Sequence, residues 1–386
     1  MASPPIGQPA AQKVPFNLRA QRFWQRVTEG MEVSQLWSQF ETETKASYRL
    51  YSKDVRAKTP DGLTSHGLHL HVIKEFFWAV LEKLSPARRV LLLAALILLV
   101  IPQGGFTHKG KVYAVEFDSH FWSALLLFVV LMLEIADRVV MKRDLQIARE
   151  IQTWLLPGAP PQIPGLVIAY STRPANTVAG DYYDVFPRPG KTPEDNRIIF
   201  AVADVAGKSI PAAMLMATFQ ASLKTLSTAQ VALPELVSNM NKYACSNSQG
   251  GLRFTTAFLA EYDPDRRLMN YINAGHNSPI LRRGTGLIER LDVGGLPLGI
   301  QPEAKYESAS VVLAPGDWLA IFTDGLVEAV NAQDEEYGET RLLHAMEAGV
   351  ATTPTELLNR LMAELDLFVG STPQHDDVTT MLLRAT

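Results

Sequence analysis

The chain is 386 residues long, enough for two or three units at roughly 150 residues each, and its 36 Lys plus Arg against 40 Asp plus Glu leave a net charge of −4, which excludes a generally basic nucleic-acid binder. An apolar share of 47% against 20% charged excludes a disordered chain, and is too low for a multi-span transporter. The single Cys245 excludes an internal disulfide, a Cys-based zinc ribbon and a redox pair, and favours a reducing compartment.

Charge divides the chain. Residues 1–157 carry 19 basic and 14 acidic side chains, a balance of +5, and residues 158–386 carry 17 and 26, a balance of −9. A basic front half suits an anionic lipid surface; an acidic back half suits a site that gathers cations. In chain order, Phe23, Val27 and Met31 recur at helical spacing within a helical N-terminal region spanning 1–86, and a further helix is expected over Val72–Leu84. His66, His69 and His71 have no Cys or acidic partner nearby and read as an ordinary loop or strand.

Two charge-free runs follow, Val90–Ile101 and Phe121–Leu133. Each is short for a spanning helix, and runs of this length are more often buried core helices. Uncharged flanks, Trp122 and the flanking Arg88, Arg89, Arg138, Lys142 and Arg143 favour a transmembrane hairpin over 87–136 with both ends inside, whereas Lys109 and Lys111 weigh against that orientation. The first 20 residues lack the apolar core of a signal peptide. The expected location is the inner (cell) membrane, with the catalytic domain cytoplasmic. A linker helix over 137–157 ends at Pro157, and Met141, Leu145, Ala148, Ile151 and Leu155 on it could form a short seam between two chains, a possible homodimer.

From Gly158 to the end, strand-like runs alternate with Gly, Pro, Asn and Asp punctuation. Strands are expected over Leu166–Ser171, Tyr182–Phe186, Ile198–Val205, Thr256–Tyr262, Leu268–Asn273, Ser308–Leu313, Trp318–Thr323 and Val378–Leu383. Helices are expected over Ile210–Leu226, with Ser209 as N-cap, Leu233–Asn247 and Thr353–Val369. Strands grouped in this way favour an α+β sandwich with helices on its outer faces over a doubly wound parallel sheet.

Four segments carry carboxylates: AGDYYD (179–184), AVADVAG (201–207), FTDGLVEA (322–329) and HDDVTT (375–380). An Asp-Gly such as Asp324-Gly325 is by itself most often a turn. As a set, Asp181, Asp204, Asp324 and Asp376 stand at ends of expected strands, where a sandwich can bring them to one edge. Carboxylates so assembled repel one another unless cations neutralise them. All-oxygen donors indicate Mg²⁺ or Mn²⁺, and a pair of such ions can clamp a phosphate and activate a water against it.

Together AREIQTWLLP, RPANTVAGDYYDVF, VADVAGKSIPAAMLMA, TTAFLAEYDPDRRLMNYINAGHNSP, GGLPLGI, LAPGDWLAIFTDGLVEAVN and DDVTTMLLR resemble the bacterial metal-dependent serine/threonine phosphatases of the PPM, or protein phosphatase 2C, superfamily, most closely the SpoIIE/RsbU branch. The motifs run in the family's order from about Ala148 to Arg384. The resemblance implies a β-sandwich flanked by helices over 158–386, two Mn²⁺ or Mg²⁺ ions, and hydrolysis of phosphoserine or phosphothreonine on an anti-anti-sigma-like (STAS) regulator. It also implies catalytic and metal-binding roles for Asp181, Asp204 as the bridging ligand, Asp324 and Asp376, with the Val205 carbonyl as a backbone ligand. Asp377 is the less favoured ligand of its pair, since many relatives carry Asn there.

The sequence departs from the wider family after Asp204, where Val205, Ala206 and Gly207 replace Gly, His and Gly, so the usual candidate acid is missing. His276 in NAGHN reads as part of a strand-ending turn rather than as that acid, and Lys208 as a solvated loop residue rather than a phosphate ligand. VADVAGKS fails as a P-loop because Val202 stands where the first Gly is required, and Cys245 has no His-based constellation and reads as a passive thiol. Two other functions stay open: a non-catalytic signalling module that uses the sandwich as a binding surface, and a hydrolase of small phosphate esters.

Overall fold

A computed structural model describes residues 78, 81–101, 106–108, 111–113, 118–188, 197–248, 250–348 and 353–386. The expected helix around Phe23, the three histidines at 66, 69 and 71, and most of Val72–Leu84 lie outside the described residues. The chain divides into two compact units at Asp137.

In the first unit, α1 (Pro86–Val100) begins with Pro at its first turn, where the missing N–H costs nothing. A two-stranded ribbon of β1 (Phe106–His108) and β2 (Lys111–Tyr113) leads to α2 (Ser119–Leu155), a 37-residue helix whose first part belongs to this unit. The two helices run antiparallel: Arg88 pairs with Asp137 at 2.6 Å and Glu134 at 3.2 Å, and the buried Ser123 hydroxyl donates to the Ala95 carbonyl at 2.7 Å. Arg88 therefore answers carboxylates of the partner helix. No helix among the described residues is long and apolar enough to cross a membrane, which leaves the expected transmembrane hairpin over 87–136 without spanning helices. At 15 residues α1 is about 22 Å long, short of the roughly 30 Å hydrocarbon layer. Val90, Ile97 and Val100 on α1 and Phe121, Phe128 and Leu131 on α2 are nonetheless exposed.

The second unit is a four-layered α/β/β/α sandwich. Its strands are β3 (Leu166–Arg173), β4 (Tyr182–Arg188), β5 (Arg197–Val205), β6 (Thr255–Asp263), β7 (Leu268–Ala274), β8 (Ile280–Arg282), β9 (Ile288–Arg290), β10 (Gly294–Gly295), β11 (Ala309–Val312), β12 (Trp318–Phe322) and β13 (Val378–Ala385). One sheet has the order β10-β7-β6-β5-β4, with β11 also on β7; the other is β3-β13-β12-β8-β9. The period of two along a strand decides which core each side chain joins. On β5, Phe200 and Val202 face Ile168, Ile321 and Met381 of the other sheet, whereas Ile199, Ala201 and Ala203 face helices.

Those helices are α3 (Ser209–Leu226) and α4 (Leu233–Ser246), which supply Met216, Leu223, Leu236 and Met240 to the outer core of the first sheet. After β12 comes the single-turn α5 (Asp324–Val327); α6 (Gly338–Ala348) and α7 (Pro354–Val369) cover the second sheet with Leu342, Met346, Leu357 and Leu361. Thr353 caps α7 reciprocally with Glu356, the capping box expected of its T-x-x-E start. Ser209 does not cap α3: it is the first helical residue at φ 62°, and Lys208 holds the N-cap position.

Candidate functional site

The sandwich brings strand ends from both sheets to one edge. In the first sheet Tyr182 pairs with Ala203, so Asp181, just before β4, and Asp204, near the end of β5, lie side by side. In the second sheet Phe322 pairs with Thr380, which places Asp324 and the Asp376–Asp377 loop together. Thr323 joins the two pairs: its hydroxyl donates to an Asp181 carboxylate oxygen at 2.9 Å and accepts from the Thr379 amide at 3.0 Å.

Asp324-Gly325 is not a hairpin turn but the start of α5, and its glycine answers a steric demand. A Cβ on Gly325 would stand 2.1 Å from the Asp377 carbonyl oxygen and 3.3 Å from the Asp376 carbonyl carbon, so only glycine lets the two acidic loops touch. The carbonyl of Val205 lies near the same edge, 3.2 Å from where a Cβ on Gly180 would be.

Burial and mutual repulsion govern the carboxylates. Asp181 is buried, and burial followed by the charge of Asp204 holds its carboxyl well above the usual range, against the hydrogen bonds of Thr379 and Thr323. Asp204 is pushed up to about 7, chiefly by burial and then by Asp324, Asp376 and Asp377, with Lys208 opposing. Asp324 is raised by burial and by Asp376. Lys208 is exposed, as expected of a solvated loop residue, and its ammonium also pairs with Asp376 at 3.1 Å and donates to the His375 carbonyl.

Asp377 is used differently from the other four. Its two carboxylate oxygens accept from the amides of Ala175 at 2.7 Å and Gly180 at 2.6 Å, pinning the loop that delivers Asp181. The same loop is held from the other side by the buried Gln152 of α2, whose amide donates to the Ala179 carbonyl at 2.7 Å and accepts from the Ala179 amide at 2.9 Å. No sequence signal marked Gln152 or Thr323, whose partners lie 27 and 142 residues away.

His276 is buried, shares a 3.0 Å hydrogen bond with the Thr256 hydroxyl through Nδ1, and is pushed down to about 4 by burial. It stays neutral in the core and serves the turn after β7. Cys245 is partly buried, its thiol raised by burial, as befits a passive residue.

Among the described residues no group of three or more His, Cys, Asp or Glu side chains is arranged to hold a metal ion. The chemistry of the donors nevertheless fits hard divalent cations: they are all oxygen, and the carboxyls of Asp181, Asp204 and Asp324 are raised by burial and then by neighbouring carboxylates, with Lys208 the one cation opposing. A set of this kind can bind cations and, through them, a phosphate.

Comparisons with known proteins agree with this architecture. Residues 194–386, half of the chain, match the family described as stage II sporulation protein E (SpoIIE). The phosphoserine phosphatase RsbU of Bacillus subtilis is 28% identical over 244 residues, covering 63% of this chain and 70% of RsbU. Protein IcfG of Synechocystis is 27% identical over 267 residues, covering 62% of this chain but 41% of IcfG, so the chain spans less than half of that relative. The SiaA-PP2C domain of Pseudomonas aeruginosa shares the fold with a TM-score of 0.55 at 21% identity, over 65% of this chain and 99% of that domain. Sandwich and sequence lead to one conclusion: the chain belongs to the SpoIIE family.

Proposed function

We propose that the chain is a metal-dependent serine/threonine phosphoprotein phosphatase of bacterial signalling that acts on a phosphorylated, anti-anti-sigma-like regulator. The observation that carries this reading is the convergence of Asp181, Asp204, Asp324 and Asp376 on one sandwich edge, the carboxyls of the first three raised by burial and then by neighbouring carboxylates. Its likeness to a phosphoserine phosphatase supports the choice of substrate class.

In this reading Asp181, Asp204, the Val205 carbonyl, Asp324 and Asp376 hold two Mn²⁺ or Mg²⁺ ions, and Asp377 positions the Asp181 loop instead of ligating. When bound, the ions neutralise phosphoryl oxygens and acidify an attacking water. The chain's own residues supply orientation. Thr323 fixes the Asp181 carboxylate, the contact of Gly325 with Asp377 fixes the spacing of the two acidic loops, and Lys208 steadies Asp376. His276, neutral and turned into the core, is not the acid that protonates the leaving serine.

The test is hydrolysis of a phosphoserine protein by the full chain with Mn²⁺, with a chelator, and as Asp324→Asn. Turnover is expected in the first case alone, and activity that survives chelation and substitution overturns the reading.

Two further parts of the proposal concern the helical front. The exposed apolar residues of α1 and α2 support attachment of the first unit to a membrane surface, which flotation of the full chain with anionic vesicles would test. Exposed Met141 and Ile151 support pairing of α2 between two chains, and the Gln152 clamp gives such pairing a route to Asp181. Gln152→Ala should then lower activity, and deletion of residues 1–135 should alter activity or its regulation.

A further inference from the structure

A cleft of about 370 Å³ opens beside the carboxylate edge and leads away from it. It is lined by Asp376 and Gly325 of the carboxylate edge, by Glu328 and Val330 beyond α5, and by Asp366 and Val369 of α7. Arg173, at the end of β3, also lines it. The lining mixes polar and apolar side chains, and Asp376 belongs both to it and to the edge where the phosphate is expected.

The charges on the cleft are unevenly committed. Arg173 holds Asp366 through both guanidinium nitrogens, so that pair is internally neutral. Asp376 faces Lys208. Glu328 is exposed, and its carboxylate has no hydrogen bond or ion pair with any described residue; partial burial raises it, and its charged neighbours Asp324, Glu336 and Asp376, all acidic, raise it further. The cleft thus presents one unanswered carboxylate in an acidic field, the complement of a cationic side chain.

Distance fixes where that side chain would belong. Glu328 follows Asp324 by one helical turn, roughly 6 Å along the axis, which an extended polypeptide covers in about two residues. We propose that this cleft receives the polypeptide flanking the phosphorylated serine and favours substrates that carry Lys or Arg within about three residues of it. Glu328 is the specificity-determining residue, and apolar lining residues such as Val330 and Val369 accept the aliphatic stem of the cation. This inference rests on the phosphatase reading and narrows its substrate class.

The experiment uses the full chain with Mn²⁺ and synthetic phosphoserine peptides in which a single Lys or a single Glu occupies each position up to three residues on either side. At one or more positions Lys should exceed Glu in kcat/KM by about five-fold, the value of one partly exposed ion pair, with the difference lying in KM rather than kcat. Glu328→Gln should remove the preference and Glu328→Lys should reverse it. Hydrolysis of all peptides at one rate, or a Lys preference untouched by Glu328→Lys, overturns the cleft assignment and leaves the phosphatase reading standing. Failure of the wild-type chain to hydrolyse any peptide defeats both.

Discussion

Asp181 and Asp184 are separated by two residues of the same motif, yet the structure treats them in opposite ways. Asp184 is buried with its own cation, Lys224 at 2.6 Å, and receives the Tyr182 hydroxyl at 2.7 Å. Further along the same sheet the buried Glu261 is clasped by Arg188 and Arg197. Asp181, Asp204 and Asp324 have no such partner; they face other carboxylates, and Lys208 is the one cation among the causes that lower any of them. Charges that serve the fold arrive paired, and charges that serve chemistry are left to repel until something binds.

Breaking the paired set should cost the most stability. Glu261→Ala leaves Arg188 buried without its counter-charge and is expected to lower unfolding free energy by about 3–5 kcal/mol, read from urea titration. Breaking the unpaired set should do the reverse. Asp204→Asn is expected to reduce phosphatase turnover at least about a hundred-fold, some 2.7 kcal/mol in barrier, while leaving the chelated protein as stable as wild type or more so. A chelated Asp204→Asn protein that unfolds earlier than wild type would erase the distinction. His276→Ala, which removes a buried ring, should cost roughly 1–3 kcal/mol of stability with the turnover of the folded fraction intact.

The smallest effect is a matter of pH. The folded carboxyls of Asp181, Asp204 and Asp324 are raised, so the metal-free folded state retains protons that the unfolded chain has released. Their favourable contribution is complete below the unfolded carboxylate range near pH 4 and is lost as pH rises through about 7, the value for Asp204. In chelator, Tm should fall between about pH 5.5 and pH 8, and Mn²⁺ should recover it at the upper end. A flat profile in chelator would mean that the carboxylates do not burden one another.

Long strands were legible from the sequence because a half-buried or doubly buried strand needs Val, Ile, Leu and Phe in unbroken or alternating runs, as in Ile198–Val205 and Trp318–Phe322. β8, β9 and β10 are two or three residues long, too short to show a period, and α6 (GETRLLHAMEA) is too polar to stand out. The acidic positions could be read as a set from their places at strand ends. The resemblance already disfavoured Asp377 as a ligand, but what Asp377 does instead was not legible: the Ala175 and Gly180 amides that its carboxylate receives lie about 200 residues away, whereas Asp376 is left exposed to Lys208. Glu328 carried no signal either, since an exposed Glu after a short helix is ordinary until the surrounding charges are known.

The bare seam between Gly325 and the Asp377 carbonyl limits how the edge can adjust. With no side chain between the two loops, there is nothing to trim or enlarge, and substitutions nearby cannot widen the gap between Asp324 and Asp376 by degrees. In the proposed two-ion site, tuning for an ion of different radius has to come from the opposite jaw, where Asp181 hangs on a hydroxyl and a pinned loop, so the proposed selectivity between Mn²⁺ and Mg²⁺ should respond to changes at Thr323 and Gln152 far more than to changes around the glycine.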